Sequence, residues 1–180
     1  TARVATALPA SVTRSPRMSQ SADPYRALMR QFNRLGVRYV VVGMAGINYY
    51  ATSPAEAFAT LDYDVFLQPT LSNVEGALRA LRALRFTVGT QEGRLRADAL
   101  RTVVRERRTL VATTAEGILI ELLLAVSGYT FHELAEDAVT VVARGVPIRV
   151  GKLRKLLHSK RLAGRPKDRQ FLARYQLSQR

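Results

Sequence analysis

Apolar and polar positions follow two rhythms along this 180-residue chain. Between Ser21 and Gly36 the apolar side chains fall at Tyr25, Leu28, Met29, Phe32 and Leu35, a spacing that lines one face of a helix. Ser21 or Asp23 can cap it, Pro24 suits its first turn and Gly36 its end. "VRYVVVG" is a β-branched run of strand length that ends in Gly43. "MAGINYYATSPAEAFA" predicts a loop with one helical turn, and it leads into "TLDYDVFL", Thr60 to Leu67, which reads as a buried strand. "SNVEGALRALRALRF" is amphipathic, with Val74, Leu78, Leu81 and Leu84 on one side and arginines on the other. Residues 86–113 predict short strands, with Arg94, Arg96, Arg101, Arg105, Arg107 and Arg108 exposed. "GILIELLLAVSG" is another buried strand, and "VTVVARGVPIRVG" is a hairpin turning at Arg144-Gly145. The C-terminal stretch reads as two helices split at Gly164-Arg165-Pro166. The expected class is α+β, helix first, with a mixed sheet and a helical C-terminus.

Residues 1–20 hold three arginines and no acid, and show no sustained period. They read as a flexible basic extension, similar in composition to an organellar transit peptide or to a leader ahead of Met18. The remainder, residues 21–180, suits one domain with a substantial core.

Composition changes the picture in two ways. No apolar run reaches membrane-spanning length, and there is no cysteine; a disulfide framework and a thiolate metal site are excluded, and a reducing, cytoplasmic setting fits. Lys and Arg number 28 against 14 acids, a net charge of +14. Such an excess points to a polyanionic partner, nucleic acid or a phosphate-rich ligand. A genome rich in G and C, which favours arginine, accounts for the same excess without a partner.

The chemistry sits in "TLDYDVFL". Side chains two apart on a strand share a face, about 6–7 Å apart along the chain, so Asp62 and Asp64 point one way and Leu61, Tyr63 and Val65 the other. Two carboxylates on one rigid strand make a poor core but a good site for a hard divalent cation. An edge strand with one solvated polar face would carry the same pair. Glu121, inside "ILIELLL", is a third acid where an unpartnered carboxylate is expensive. It can complete a metal cluster and accept a proton from an attacking hydroxyl, or it can pair with an arginine. In "VVVGMAG" the small residues Gly43, Ala45 and Gly46 let backbone N–H groups approach a phosphate, although a glycine after a strand often marks only a turn. Lys160, Arg161, Arg165, Lys167 and Arg169 supply charge for phosphates or for a nucleic-acid backbone; a solvated basic helix face is the alternative.

Taken in order, these pieces resemble the nucleotidyltransferase superfamily with a polymerase-beta-like fold, closest to the toxin-type abortive-infection and lincosamide-type members. That family runs helix, strand, glycine-containing turn, then a strand bearing D-x-D, with a third acid on a later strand. "FATLDYD" matches its R-x-T-x-D-x-D pattern at Thr60, Asp62 and Asp64, with Phe58 where arginine is usual. "KRLAGRPKDRQFL", Lys160 to Leu172, resembles the family's closing helix pair. The turn reads Gly43-Met44 where the family has Gly-Gly or Gly-Ser, so a serine hydroxyl for the phosphates is missing. The resemblance spans about residues 22–175 and implies a mixed β-sheet nucleotidyltransferase core with flanking helices.

It also implies a mechanism. Asp62, Asp64 and Glu121 would be the catalytic and metal-binding residues, holding Mg²⁺ (or Mn²⁺) at the triphosphate of an NTP such as ATP. Glu121 would help deprotonate the acceptor hydroxyl, and pyrophosphate would leave. Gly43, Met44 and Thr60 would line the phosphates, and Lys160, Arg165 and Lys167 would neutralise them or the acceptor. Asp168 would fix the helix pair by a salt bridge, and His132 and His158 are read as structural. The basic charge favours RNA, plausibly a tRNA 3′ end, as the acceptor; a toxin of this type would have an acidic antitoxin as partner. A small-molecule or protein hydroxyl as acceptor, or a non-catalytic RNA-binding module on the same fold, are the alternatives.

Overall fold

The computed structural model describes residues 23–60 and 62–178, so the extension expected over residues 1–20 and the capping candidate Ser21 lie outside it. Asp23 is the cap of α1 (Pro24–Arg34): its carboxylate accepts from the backbone N–H of Tyr25 at 3.0 Å and of Arg26 at 3.3 Å, satisfying donors that the first turn leaves free. Leu28, Met29 and Phe32 are buried as the periodicity predicts. Leu35 is not; it is 39% exposed at the helix end, and Val37 takes the buried place once the chain has left the helix.

Eight strands form one open mixed sheet: β1 (Tyr39–Val41), β2 (Tyr63–Leu67), β3 (Thr87–Thr90), β4 (Gly93–Arg94), β5 (Leu110–Thr113), β6 (Leu119–Leu123), β7 (Val139–Ala143) and β8 (Val146–Val150). Their spatial order is β4-β3-β5-β6-β2-β1-β8-β7. β2 runs antiparallel to β1 and parallel to β6, while β1 is parallel to β8. The β7–β8 hairpin turns at Arg144-Gly145 as expected. Six helices follow α1: α2 (Gly43–Asn48), α3 (Leu71–Ala83), α4 (Leu100–Arg105), α5 (Phe131–Glu136), α6 (Leu153–Ala163) and α7 (Pro166–Ser178). The chain is thus α+β. No helix among the described residues is long and apolar enough to cross a membrane.

Alternation along the central strands sorts the core into two layers. Tyr63, Val65 and Leu67 of β2, with Ile120 and Leu122 of β6, pack against Leu28 and Phe32 of α1, Leu78 and Leu81 of α3 and Val103 of α4. Phe66 of β2 and Val40 of β1 face the other way, onto Ile47 of α2, Phe131 and Leu134 of α5, Leu156 of α6 and Phe171 of α7. Asp64 and Glu121 share this second face by the same parity.

The helical turn expected in the segment after β1 is present as α2, six residues long, with Ala45 and Ile47 buried in the two core layers. Two stretches depart from expectation. The strand expected from Thr60 starts only at Tyr63: the Thr60 hydroxyl accepts from the Asp62 N–H at 3.2 Å and donates to its carbonyl at 3.1 Å, curling the backbone before the ladder begins. Within residues 86–113 three short strands form as predicted, but α4 lies between them; six residues give too little periodicity to read. Helix α5 had a readable start, since Thr130 and Glu133 form a reciprocal capping box.

The second layer should be sensitive to the aromatic contact between Phe66 and Phe131, whose ring centroids are 5.5 Å apart. Phe66→Ala is expected to lower the unfolding free energy by about 3–5 kcal/mol, whereas Val142→Ala, at a 67% exposed edge position, should change it by less than about 0.5 kcal/mol. Urea denaturation of the two variants checks the contrast.

Candidate active site

The register of β2 and β6 decides the site. Asp64 is the direct neighbour of Glu121 across the parallel pair, about 4.8 Å away in backbone terms, and both face the second layer. Val42, the residue before α2, donates its N–H to the Asp64 carbonyl at 3.0 Å, which brings the start of α2 against the Asp64 side chain. Gly43 there has φ +63°, and a Cβ on it would fall 1.9 Å from Asp64 Oδ2. Only glycine fits, for backbone shape and for space. Gly46 and Ala45, also expected near phosphate, instead pack inward: Ala45 is buried, and a Cβ on Gly46 would meet the Val41 carbonyl at 2.9 Å.

Asp64 is an uncomfortable carboxylate. Burial, then the negative charges of Glu121 and Asp62, lift its pKa to about 6, and Lys160 opposes the rise. Asp62 stands apart, with a side chain 42% exposed and its Oδ2 3.9 Å from the Lys167 ammonium. The sequence predicts three converging acids; the structure brings Asp64 and Glu121 together and leaves Asp62 at the rim. Among the described residues no group of three His, Cys, Asp or Glu side chains is gathered closely enough to hold a metal ion.

Opposite the acids stand cations organised by Asp168. Gly164 ends α6 in the left-handed conformation and Pro166 opens α7, so the sharp turn folds Asp168, 1% exposed, back beneath it. Asp168 accepts from Lys160 Nζ at 3.0 Å and from Arg165 Nε at 2.6 Å. Burial alone would raise its pKa, but these hydrogen bonds outweigh that and hold the carboxyl below its ordinary value. Lys160 also lies 5.3 Å from the Phe171 ring centroid. The role expected for Asp168, a salt bridge fixing the helix pair, is the one observed.

The acids and cations form the waist of a two-lobed cleft. A cavity of about 730 Å³ runs from Gly43, Asp64, Glu121 and Lys160 to Gln91, Thr109, Ser127 and Ser159. A second, of about 430 Å³, extends the other way to Met44, Phe58, Thr60 and Asp62. Arg165 and Lys167 line both. Met44 is half-buried against the second core, and Thr60 uses its hydroxyl on the Asp62 backbone. Phe58 is clamped through its backbone by the Asn48 amide and stacks edge-on with Phe171 at 4.8 Å. The polar residues of the larger lobe escape sequence reading, because only the folded sheet brings Gln91, Thr109 and Leu123 to the lining of one cavity. His158 bonds Tyr129 Oη at 2.8 Å, in keeping with a structural role.

Two outcomes follow for stability. An acid whose folded pKa is raised binds its proton more tightly when folded, so stability falls as pH rises from the ordinary 3.8 through about 6. Without divalent cations, Asp64→Asn is expected to be more stable than the parent by roughly 2–3 kcal/mol near pH 8, with the gap gone near pH 4. Asp168 has the opposite sign: its contribution is present above the ordinary 3.8 and is lost as pH falls through its lowered folded value. Asp168→Asn should therefore destabilise by about 2–3 kcal/mol at neutral pH, allowing for the solvent around Arg165, and by progressively less in acid. Chemical denaturation across pH measures both.

Compared with known proteins, the chain matches no family model and no curated sequence, so the functional reading rests on the site itself.

Proposed function

We propose that the protein is a divalent-metal-dependent nucleotidyltransferase that moves a nucleotide from an NTP to an acceptor hydroxyl, with RNA as the acceptor. The observation that carries this reading is the pairing of Asp64 and Glu121 in adjacent register at the waist of a two-lobed cleft, facing Lys160 and Arg165. A reaction between two substrates needs two places that meet at one point, and each lobe is of ligand size.

The donor set fits a hard cation. Asp64 and Glu121 are oxygen ligands whose mutual repulsion, felt in the raised Asp64 pKa, a divalent ion relieves. When bound, such an ion supplies charge stabilisation for phosphoryl oxygens. Asp64 and Glu121 would hold it, with Asp62 closing from the rim once freed from Lys167. Glu121 would take the proton of the acceptor hydroxyl, whose oxygen would attack the α-phosphorus as pyrophosphate leaves. Lys160, locked by Asp168, and Arg165 present fixed positive charge to the triphosphate, and the bare backbone at Gly43 permits its close approach.

One observation favours a non-catalytic RNA-binding module instead: Asp62 is half-exposed at the rim, 3.9 Å from the Lys167 ammonium, and does not close with the other two acids into a metal-binding group. Titration calorimetry with Mg²⁺ and each NTP, followed by transfer of labelled nucleotide to total RNA, separates the two. Metal-dependent NTP binding and labelling are expected for the parent, with labelling reduced at least about 100-fold in Asp64→Asn and Glu121→Gln. Equal labelling by parent and variants, or RNA binding without metal-dependent NTP binding, would sink the transferase reading.

A further inference from the structure

The cleft is not where most of the unpaired charge lies. Helices α1, α3 and α4 cover the sheet face opposite the carboxylates, with α3 in contact with both of the others. Their exposed side carries Arg30, Arg34, Arg79, Arg82, Arg85 and Arg107. None of these six makes an ion pair or side-chain hydrogen bond among the described residues. Within the three helices the single carboxylate is Glu75, and residues 1–22 contain no Asp or Glu.

Two of these arginines, like Arg144 (φ 47°) at the β7–β8 turn away from this face, are held in a backbone conformation that resists them. Arg85 (φ 62°) and Arg107 (φ 53°) stand just past the ends of α3 and α4 in the left-handed region, where glycine is the ordinary choice and a side chain adds strain. The chain does use glycine at the corresponding position after α1, Gly36. Glycine codons are as rich in G and C as arginine codons, so base composition gives no reason for the difference. Nor does the helix dipole, since Arg82 and Arg105 already occupy the last turns.

We infer that the outer face of α1, α3 and α4 is a docking surface for the phosphate backbone of RNA, remote from the catalytic cleft. It rests on the RNA-acceptor reading above for its occupant, and on the gathering of unpaired arginines for its place. A protein partner would need several apolar anchors at the contact; among the described residues the one large exposed hydrophobic at this surface is Leu35, just past the end of α1, and α3 and α4 carry none. Arginines without ion-pair partners suit phosphates, which are bound by charge and charge-assisted hydrogen bonds. The surface also leads to the cleft. Thr87, two residues after Arg85, is level across the sheet with Thr113 and Leu119, next to the rung that pairs Tyr63 with Ile120. Arg85 therefore projects at the strand ends where Asp62 lies, and RNA held on α3 can turn that end of the sheet to deliver a hydroxyl to the acids.

The test uses the full chain and a fluorescent RNA hairpin with a single-stranded 3′ end, with anisotropy read over a range of salt. Replacing Arg30, Arg79, Arg82 and Arg85 by Gln is expected to weaken binding at least about tenfold and to reduce the slope of log K against log salt by about 2–3. The control Arg144→Gln with Lys152→Gln should leave both nearly unchanged, and Mg²⁺-dependent NTP binding by the quadruple variant should equal the parent's. Parental RNA affinity and slope in the quadruple variant would overturn the inference, as would loss of polyglutamate binding alone. Parental chain that binds RNA through this face yet shows no metal-dependent NTP binding would support the docking surface while sinking the transferase reading.

Discussion

Two like charges held side by side on a sheet shape the rest of this molecule. Asp64 and Glu121 are adjacent because β2 and β6 run parallel in one register, and the backbone of a sheet gives them nothing positive. Left to itself, the pair would favour protonation, as the Asp64 pKa of about 6 records. The surroundings answer this only in part. Gly43 leaves out a side chain so that the carboxylate fits, and Lys160 moderates the charge from across the cleft. A site built to be stable would have a second apolar residue at position 64, as Val65 and Phe66 already are. Stability is given up where chemistry gains.

The cations are as constrained as the anions. A lysine and an arginine facing two carboxylates would ordinarily collapse onto them and fill the cleft with a salt bridge. Asp168 prevents this by holding both from behind, buried in the turn between α6 and α7. The turn serves that carboxylate: Gly164 supplies the left-handed residue, Pro166 starts the next helix, and Asp168 in its first turn faces back toward Lys160. The result is a cleft with separated charges and open space of about 730 and 430 Å³ on its two sides. On the far side of the sheet the same chain spreads arginines without partners, so its two faces present different electrostatics: one with alternating, tethered charges, the other with positive charge in large excess.

Much of the fold was legible before the coordinates. The spacing of Leu28, Met29 and Phe32 marked α1, the β-branched runs marked β1, β2, β6 and the β7–β8 hairpin, and Gly164-Arg165-Pro166 marked the break between the last helices. The misses share a cause. Helices α4 and α5 are six residues each, too short for a period to establish itself, and are made by tertiary burial of Val103 and Phe131 more than by their own propensity. Leu35 failed for a related reason: periodicity places it on the buried face, but the helix ends there.

Within the candidate site, residue types were readable and their company was not. That Asp64 and Glu121 were expensive to bury follows from their apolar flanks, and that Gly43 and Asp168 mattered follows from the strand end and the Gly-Arg-Pro-Lys-Asp turn. The sequence by itself therefore determined which chemical groups are present, how the central strands alternate and where the helical breaks fall, because these depend on neighbours a few residues apart. Only the tertiary structure decided that Glu121 stands beside Asp64, that Asp62 meets Lys167, that Gln91 and Thr109 line one cavity, and that α3 and α4 pool their arginines. Those outcomes depend on strand register and on helix packing across separations of tens of residues, and a one-residue slip in register would have sent the same side chains to the opposite face.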